Sequence, residues 1–287
     1  MHILANPATE CKQSRKNQRF TENRARGNLL LTDRGFQGKI ERNRRKEGRF
    51  VIWYTGDIHG DVKRVREGIL RHDVRPGDIL VILGDLGLNY HKNAIDRRRK
   101  QALEQTASKA GVQIFCIHGN HDMRPWHVPT YRETEWHGGR VWIEDDYPHL
   151  IFARDGEIFD LEGRRSIVIG GAYSVDKRWR QRMGWTWFED EQPSDEIKAD
   201  VEAALDAVGW EIDTVLTHTL PAKFTPTEAM IPGIDQSGVD RSTEEWLDTI
   251  EDRLTYRHWL CGHWHINKHV GNFHILMQDY MTLEDTP

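Results

Sequence analysis

Residues 50–60 read FVIWYTGDIHG, five apolar or aromatic residues and a threonine followed by Gly56-Asp57 and then Ile58-His59-Gly60. A run this short, this rich in β-branched and aromatic side chains and without polar alternation, has the pattern of a strand buried on both faces. The next segment, VKRVREGILRH at 62–72, carries apolar residues at helical spacing. DILVILGD at 78–85 repeats the strand and its Gly-Asp ending, the charged stretch from about 92 to 110 is a second helix, and VQIFCIHGNHD at 112–122 is a third strand with a polar end. Two successive strand-helix-strand units imply a parallel sheet with right-handed crossovers.

Between about 140 and 172 the pattern changes to short apolar runs separated by turns, with Asp155-Gly156 and Glu162-Gly163 where hairpin turns belong. These runs read as antiparallel strands that extend the core or form a second sheet. A polar, Trp-rich insert fills 178–193, and Ser194 opens a helix reaching about 208. DTVLTH at 213–218 is a buried strand, 243–253 a helix, and YRHWLCGHWH at 256–265 and NFHILMQDY at 272–280 are the closing strands.

Composition bounds the setting. A chain of 287 residues holds one large α/β domain with appendages more readily than two small ones. The opening MHILANPATE is too short in apolar residues for a secretory signal, and no segment approaches the roughly 20 apolar residues of a membrane span. Cys11, Cys116 and Cys261 form no paired framework, which fits a reducing, cytoplasmic location. The net charge of −5 conceals an asymmetry, because residues 11–49 carry thirteen Lys or Arg against four acids and so leave −14 to the rest. Residues 1–48 therefore read as a basic, flexible arm, either a polyanion tether or a solvated extension, and 49–287 as the folded domain.

Five polar clusters stand at the ends of apolar runs: Asp57 and His59 in GDIHG, Asp85 in GDLG, Asn120, His121 and Asp122 in GNHD, His218 in LTHT, and His263 and His265 in GHWH. Carboxyl ends of neighbouring parallel strands share one edge, so clusters far apart in sequence converge there. Each piece alone is ordinary, a turn or a surface histidine; their joint order after separate strands is not. The donors are oxygen and imidazole nitrogen without thiolate, a set suited to Mn, Fe or Zn rather than to a structural zinc knuckle.

The order D-x-H, GD, GNHD, H, GHxH resembles the calcineurin-like metallophosphoesterase superfamily over about residues 50–280. The resemblance implies an α/β, four-layer sandwich of two mixed sheets flanked by helices, and two divalent metal ions. It implies that Asp57, His59 and His265 hold one metal, Asn120, His218 and His263 the other, and that Asp85 bridges them. Two divalent cations against two carboxylates leave a formal +2, which attracts phosphate. The implied reaction is hydrolysis of a phosphomonoester or phosphodiester by a metal-bridging hydroxide. His121 would stand beside the leaving group as general acid or transition-state stabiliser, oriented by Asp122.

The substrate is less legible. The protein Ser/Thr phosphatase branch shows GDxxDRG, whose arginine grips phosphate, whereas this chain has GDLGLNY. Arg124, Tyr173 and Arg178 are the substitutes the sequence offers, each also readable as a surface residue. Trp126, Trp185 and Trp187 suit stacking on a nucleotide or nucleic-acid ester, or else lid packing. The competing readings are a partner-binding scaffold, which has no need of the full ligand set present here, and a nucleic-acid-binding module that uses the basic arm and keeps its metals as structural ions.

Overall fold

The computed structural model describes residues 50–230 and 236–283. The basic arm and Cys11 lie outside the described residues. Phe50–Leu283 forms one compact unit.

The first sheet contains β1 (Ile52–Thr55), β2 (Ile79–Ile82), β3 (Gln113–Cys116), β4 (Tyr131–Trp136), β5 (Gly139–Glu144) and β6 (Leu150–Ala153), in the order β1-β2-β3-β6-β5-β4. The second contains β7 (Ile158–Leu161), β8 (Arg164–Ile169), β9 (Glu211–Thr217), β10 (Thr255–Cys261), β11 (Lys268–Val270) and β12 (Phe273–Ile275), in the order β11-β12-β10-β9-β8-β7. Strands β1, β2, β3 and β6 are mutually parallel, as are β8, β9, β10 and β12, with antiparallel strands at the margins. Both sheets are mixed, as expected.

Side-chain alternation builds the layers. Tyr54, Val81 and Phe115 of the first sheet meet Phe159, Val168, Leu216 and Leu260 of the second in the central core. Their neighbours Trp53, Leu80 and Cys116 face outward onto Val65 and Ile69 of helix α1 (Val62–Arg71) and Leu103 and Ala107 of α2 (Ala94–Ala110). On the other side Ile167, Val215, Trp259 and Cys261 pack under α4 (Asp195–Ala207) and α5 (Ser242–Glu251). The result is helix, sheet, sheet, helix, the four-layer sandwich. Strands β1, β2, β3 and β6 are buried on both faces almost throughout, and β8, β9 and β10 toward their carboxyl ends, which is why those segments read as apolar runs.

Helix starts follow local chemistry. Asp61 accepts from Arg64 N, Asn93 from Ile95 N and Ser194 from Ile197 N, caps typically worth about 1 kcal/mol each. A fifth helix, α3 (Lys177–Met183), lies within the Trp-rich insert.

Two expectations are corrected. Asp155-Gly156 does not close a hairpin, because β6 belongs to the first sheet and β7 to the second, so this turn carries the chain between layers. The Glu162-Gly163 hairpin, β7 to β8, forms as read. Strands β6 and β8 are not purely antiparallel additions: β6 runs parallel to β3, and β8 parallel to β9. Among the described residues no helix is long and apolar enough to cross a membrane.

Candidate metal centre

All five polar segments leave a strand at its carboxyl end, after β1, β2, β3, β9 and β10. Backbone hydrogen bonds tie the turns to one another. Ile58 N and His59 N both donate to Asp85 O, at 3.0 and 2.7 Å, and Gly262 N donates to His218 O at 2.9 Å. Arg64, on α1, donates to the carbonyls of Gly56, Asp57 and Met277 and so holds the first turn from below. The turns are tight enough that His59, Asp85, His263 and His265 adopt left-handed backbone, with φ of 50°, 50°, 64° and 52°. For non-glycine residues such geometry costs on the order of 1 to 2 kcal/mol each and persists only where the surroundings dictate it. At Gly119 close approach excludes any side chain: a Cβ there would lie 2.1 Å from Asp85 Oδ1.

The seven expected donors come together. His265 Nε2 lies 3.5 Å from Asp57 Oδ2 and 3.0 Å from His59 Nε2. Asn120 Oδ1 lies 2.9 Å from His218 Nε2 and 3.1 Å from His263 Nδ1. Asp85 stands between these groups, with Oδ2 3.8 Å from His59 Nδ1 and Oδ1 3.6 Å from His218 Nε2. Asp57, His59 and His265, then His59, Asp85 and His121, then Asp57, Asp85 and His218 form overlapping triplets whose ligand atoms lie within 4.8 Å of one another.

Proton bookkeeping shows what belongs between them. His218 Nδ1 is 2.8 Å from Leu83 O, a carbonyl that only accepts, so Nδ1 carries the hydrogen and Nε2 presents a lone pair. Asn120 Nδ2 donates to Ser174 Oγ at 2.9 Å, which turns the amide oxygen toward that lone pair. Two acceptors then face each other at 2.9 Å with no proton between them. Asp57 Oδ2 is buried without a hydrogen-bond partner among the described residues, a costly state for a carboxylate. Burial raises both the Asp57 and the Asp85 carboxyl above their usual range, and Asp57 adds to the effect on Asp85. Burial and the neighbouring His265 push the His59 imidazole down to about 3, and burial likewise depresses His218, His263 and His265. Neutral imidazoles, converging lone pairs and an orphaned carboxylate oxygen fit divalent cations.

Around this centre the other expected residues fall in different places. His121 N donates to Asp85 Oδ1 at 2.7 Å, and its Nε2 is 4.0 Å from Asp85 Oδ2. Both Asp122 oxygens accept backbone amides, from Leu86 at 3.0 Å and Gly87 at 2.7 Å. Asp122 thus clamps the turn after β2, where the expectation had it orienting the His121 ring; burial raises its carboxyl to about 8. Arg124 is 1% exposed and pairs with Asp155, while its Nε donates to Asp190 O at 2.9 Å. Tyr173 donates from its hydroxyl to Gly238 O at 3.4 Å, and Arg178 lies against the same glycine. Trp126 and Trp185 are 42% and 46% exposed.

Two residues that the sequence did not single out sit on His121. Tyr90 stacks on its ring with centroids 6.0 Å apart at 22°, and Arg180 Nη2 lies 2.6 Å from its Nδ1. Arg180 is 2% exposed, held by an ion pair from its Nε to Asp176 Oδ1 at 2.8 Å. Burial first, and Arg180 second, lower the His121 pKa well below 6.5. The only sequence signal was the density of arginines in 177–183, which does not say which one turns inward.

A family model described as calcineurin-like phosphoesterase matches residues 50–267. No curated protein matches the chain. Among solved structures, the crystal structure of TT1561 of Thermus thermophilus is similar over 81% of this chain and 97% of that one, at 13% identity and a TM-score of 0.45. The family match spans most of the sequence and contains all five motifs from which the donors come, so the chain belongs to the calcineurin-like phosphoesterase family.

Proposed function

We propose that this protein hydrolyses a phosphomonoester or phosphodiester with the help of two divalent cations of the Mn, Fe or Zn type. Asp57, His59 and His265 would hold one cation, Asn120, His218 and His263 the other, and Asp85 would serve both. The observation that carries this reading is the opposition of Asn120 Oδ1 and the His218 Nε2 lone pair at 2.9 Å, an arrangement that a cation stabilises and a proton-free gap does not. Divalent cations supply, when bound, Lewis acidity toward phosphoryl oxygens and a pKa of water lowered from 15.7 to around 7.

The chain's own residues do the rest. The turns present seven donors from fixed backbone, so little reorganisation accompanies the reaction. His121, beside the centre and braced by Tyr90 and Arg180, is placed to hydrogen-bond the leaving oxygen as acid or transition-state stabiliser. Its partly buried imidazole, with a lowered pKa, favours the stabilising role near neutral pH. Asp122 contributes at one remove, by fixing the turn that carries Asp85. The exposed rings of Trp126 and Trp185 support an aromatic or nucleotide-bearing ester, and the free, buried thiols of Cys116 and Cys261 support a reducing, cytoplasmic setting.

The test is to strip the protein with chelator, restore Mn, Fe or Zn singly, and follow a chromogenic phosphomonoester and its matching diester. Metal-dependent hydrolysis of at least one is expected, with two ions per chain by elemental analysis. Activity indifferent to chelator, or a single ion per active chain, would overturn the two-cation reading.

A further inference from the structure

We infer that Arg180 is the substrate's phosphoryl-binding residue, and that it tunes the site toward the dianionic phosphate of a monoester. This rests on the hydrolase reading above and adds a substrate class to it. Three arginines, Arg64, Arg124 and Arg180, are candidates for the role. Arg64 is taken up by the carbonyls of Gly56, Asp57 and Met277. Arg124 leaves one nitrogen, Nη2, without a hydrogen-bond partner among the described residues, but its surroundings are Asp155, Asp190 and Gly171, none of them a proposed ligand.

Arg180 differs in both respects. Its Nη2 reaches His121, whose Nε2 is 4.0 Å from Asp85 Oδ2, so the guanidinium borders the proposed cation site. Its Nη1 is buried and has no hydrogen-bond partner among the described residues. A buried N–H of a permanent cation left unmade costs on the order of 1 to 3 kcal/mol or more, which a bound acceptor would recover. The other end of the side chain is fixed: Asp176 pairs with Nε at 2.8 Å, and the Tyr90 ring lies 5.9 Å from the guanidinium carbon. A guanidinium fixed through Nε, with Nη2 on the His121 ring and Nη1 unpartnered, keeps N–H groups of both Nη atoms for phosphoryl oxygens.

Charge then decides between ester classes. Asp176 is 45% exposed, so water screens its offset of the Arg180 charge, whereas the Nη edge is dry. At equal distance a phosphoryl group of charge −2 gains twice what one of charge −1 gains from the same cation. Removing Arg180 should therefore penalise a monoester more than a diester.

The experiment compares metal-loaded wild type with Arg180→Met and Arg180→Lys on the two esters, with inorganic phosphate as competitive inhibitor. For Arg180→Met, kcat/KM on the monoester should fall about 100-fold or more, on the diester by a clearly smaller factor, and the phosphate inhibition constant should rise about tenfold or more. Arg180→Lys should recover part of each effect, which a merely structural role does not predict. Equal losses on both esters with an unchanged phosphate inhibition constant would sink the inference while leaving the hydrolase reading intact. A crystal of metal-loaded wild type soaked in inorganic phosphate gives a second arm that needs no variant. Phosphate oxygen within hydrogen-bond distance of Arg180 Nη1 supports the assignment, and phosphate bound at the centre without touching Arg180 overturns it. Wild type inactive on both esters sinks the hydrolase reading instead, and the soak still decides on Arg180.

Discussion

His121 and the glycines beside the ligands carry the sharpest consequences for single side chains. His121→Ala should leave metal content unchanged in elemental analysis and lower turnover at least about 100-fold in the chromogenic assay, because it removes a hydrogen-bonding group and no proposed ligand. Gly119→Ala should do the opposite: its Cβ would lie 2.1 Å from Asp85 Oδ1, so Asp85 must move and bound metal should fall below wild-type stoichiometry. The convergence of these side chains was legible in the sequence, since a polar residue directly after an apolar strand has one edge to occupy. Arg180 was not. Arg178, Arg180 and Arg182 alternate on a short helix, and only its phase against the core sets which is buried. Arg124 misleads for the converse reason, because its partner Asp155 comes 31 residues later in a turn between layers.

At the level of elements, strands with two buried faces were readable and the marginal ones were not. β4, YRETEW, is polar with both faces partly wet, and β11 is three residues long, so neither offers a period to detect. The Asp155-Gly156 turn looks like any hairpin, since turn chemistry does not record whether the next strand stays in its sheet. One property of the second sheet's margin is testable. His274 of β12 lies 3.3 Å from His258 Nδ1 on β10 and 3.0 Å from His269 Nδ1 on β11, with Arg164 and Arg257 acting on His258. Burial, then His269 and His258, lower its pKa to about 4 from 6.5. The unfolded chain therefore binds this proton between pH 6.5 and 4 and the fold does not, so the contribution is full above about 6.5 and is lost as pH falls toward 4. His274→Gln should flatten the decline in unfolding free energy over that window, followed by denaturant titration, by on the order of 1 kcal/mol after solvent screening.

For the molecule as a whole, removal of metal should lower stability as well as activity. Facing acceptors and two buried carboxylates would both be relieved by bound cations. Chelator should lower Tm, and added Mn, Fe or Zn should restore it in a concentration-dependent way, each site adding about 2.7 kcal/mol of unfolding free energy at 100 times its Kd. An unchanged Tm would mean that the fold tolerates its bare donors. Deleting residues 1–48 should leave kcat/KM on small esters within about twofold, whereas a nucleic-acid-binding scaffold would lose its function with those charges.

Each proposed cation draws on both layers of the sandwich: Asp57 and His59 from the first sheet's turns with His265 from the second's, and Asn120 from the first with His218 and His263 from the second. The ions would then act as rivets through the stack, joining two halves otherwise held by non-directional apolar contact. Such a fastening places reactivity and cohesion in the same few atoms, so a mutation that loosens one loosens the other. Drift in this chain should therefore accumulate at the far margins, around β4 and β7, long before it reaches the riveted edge.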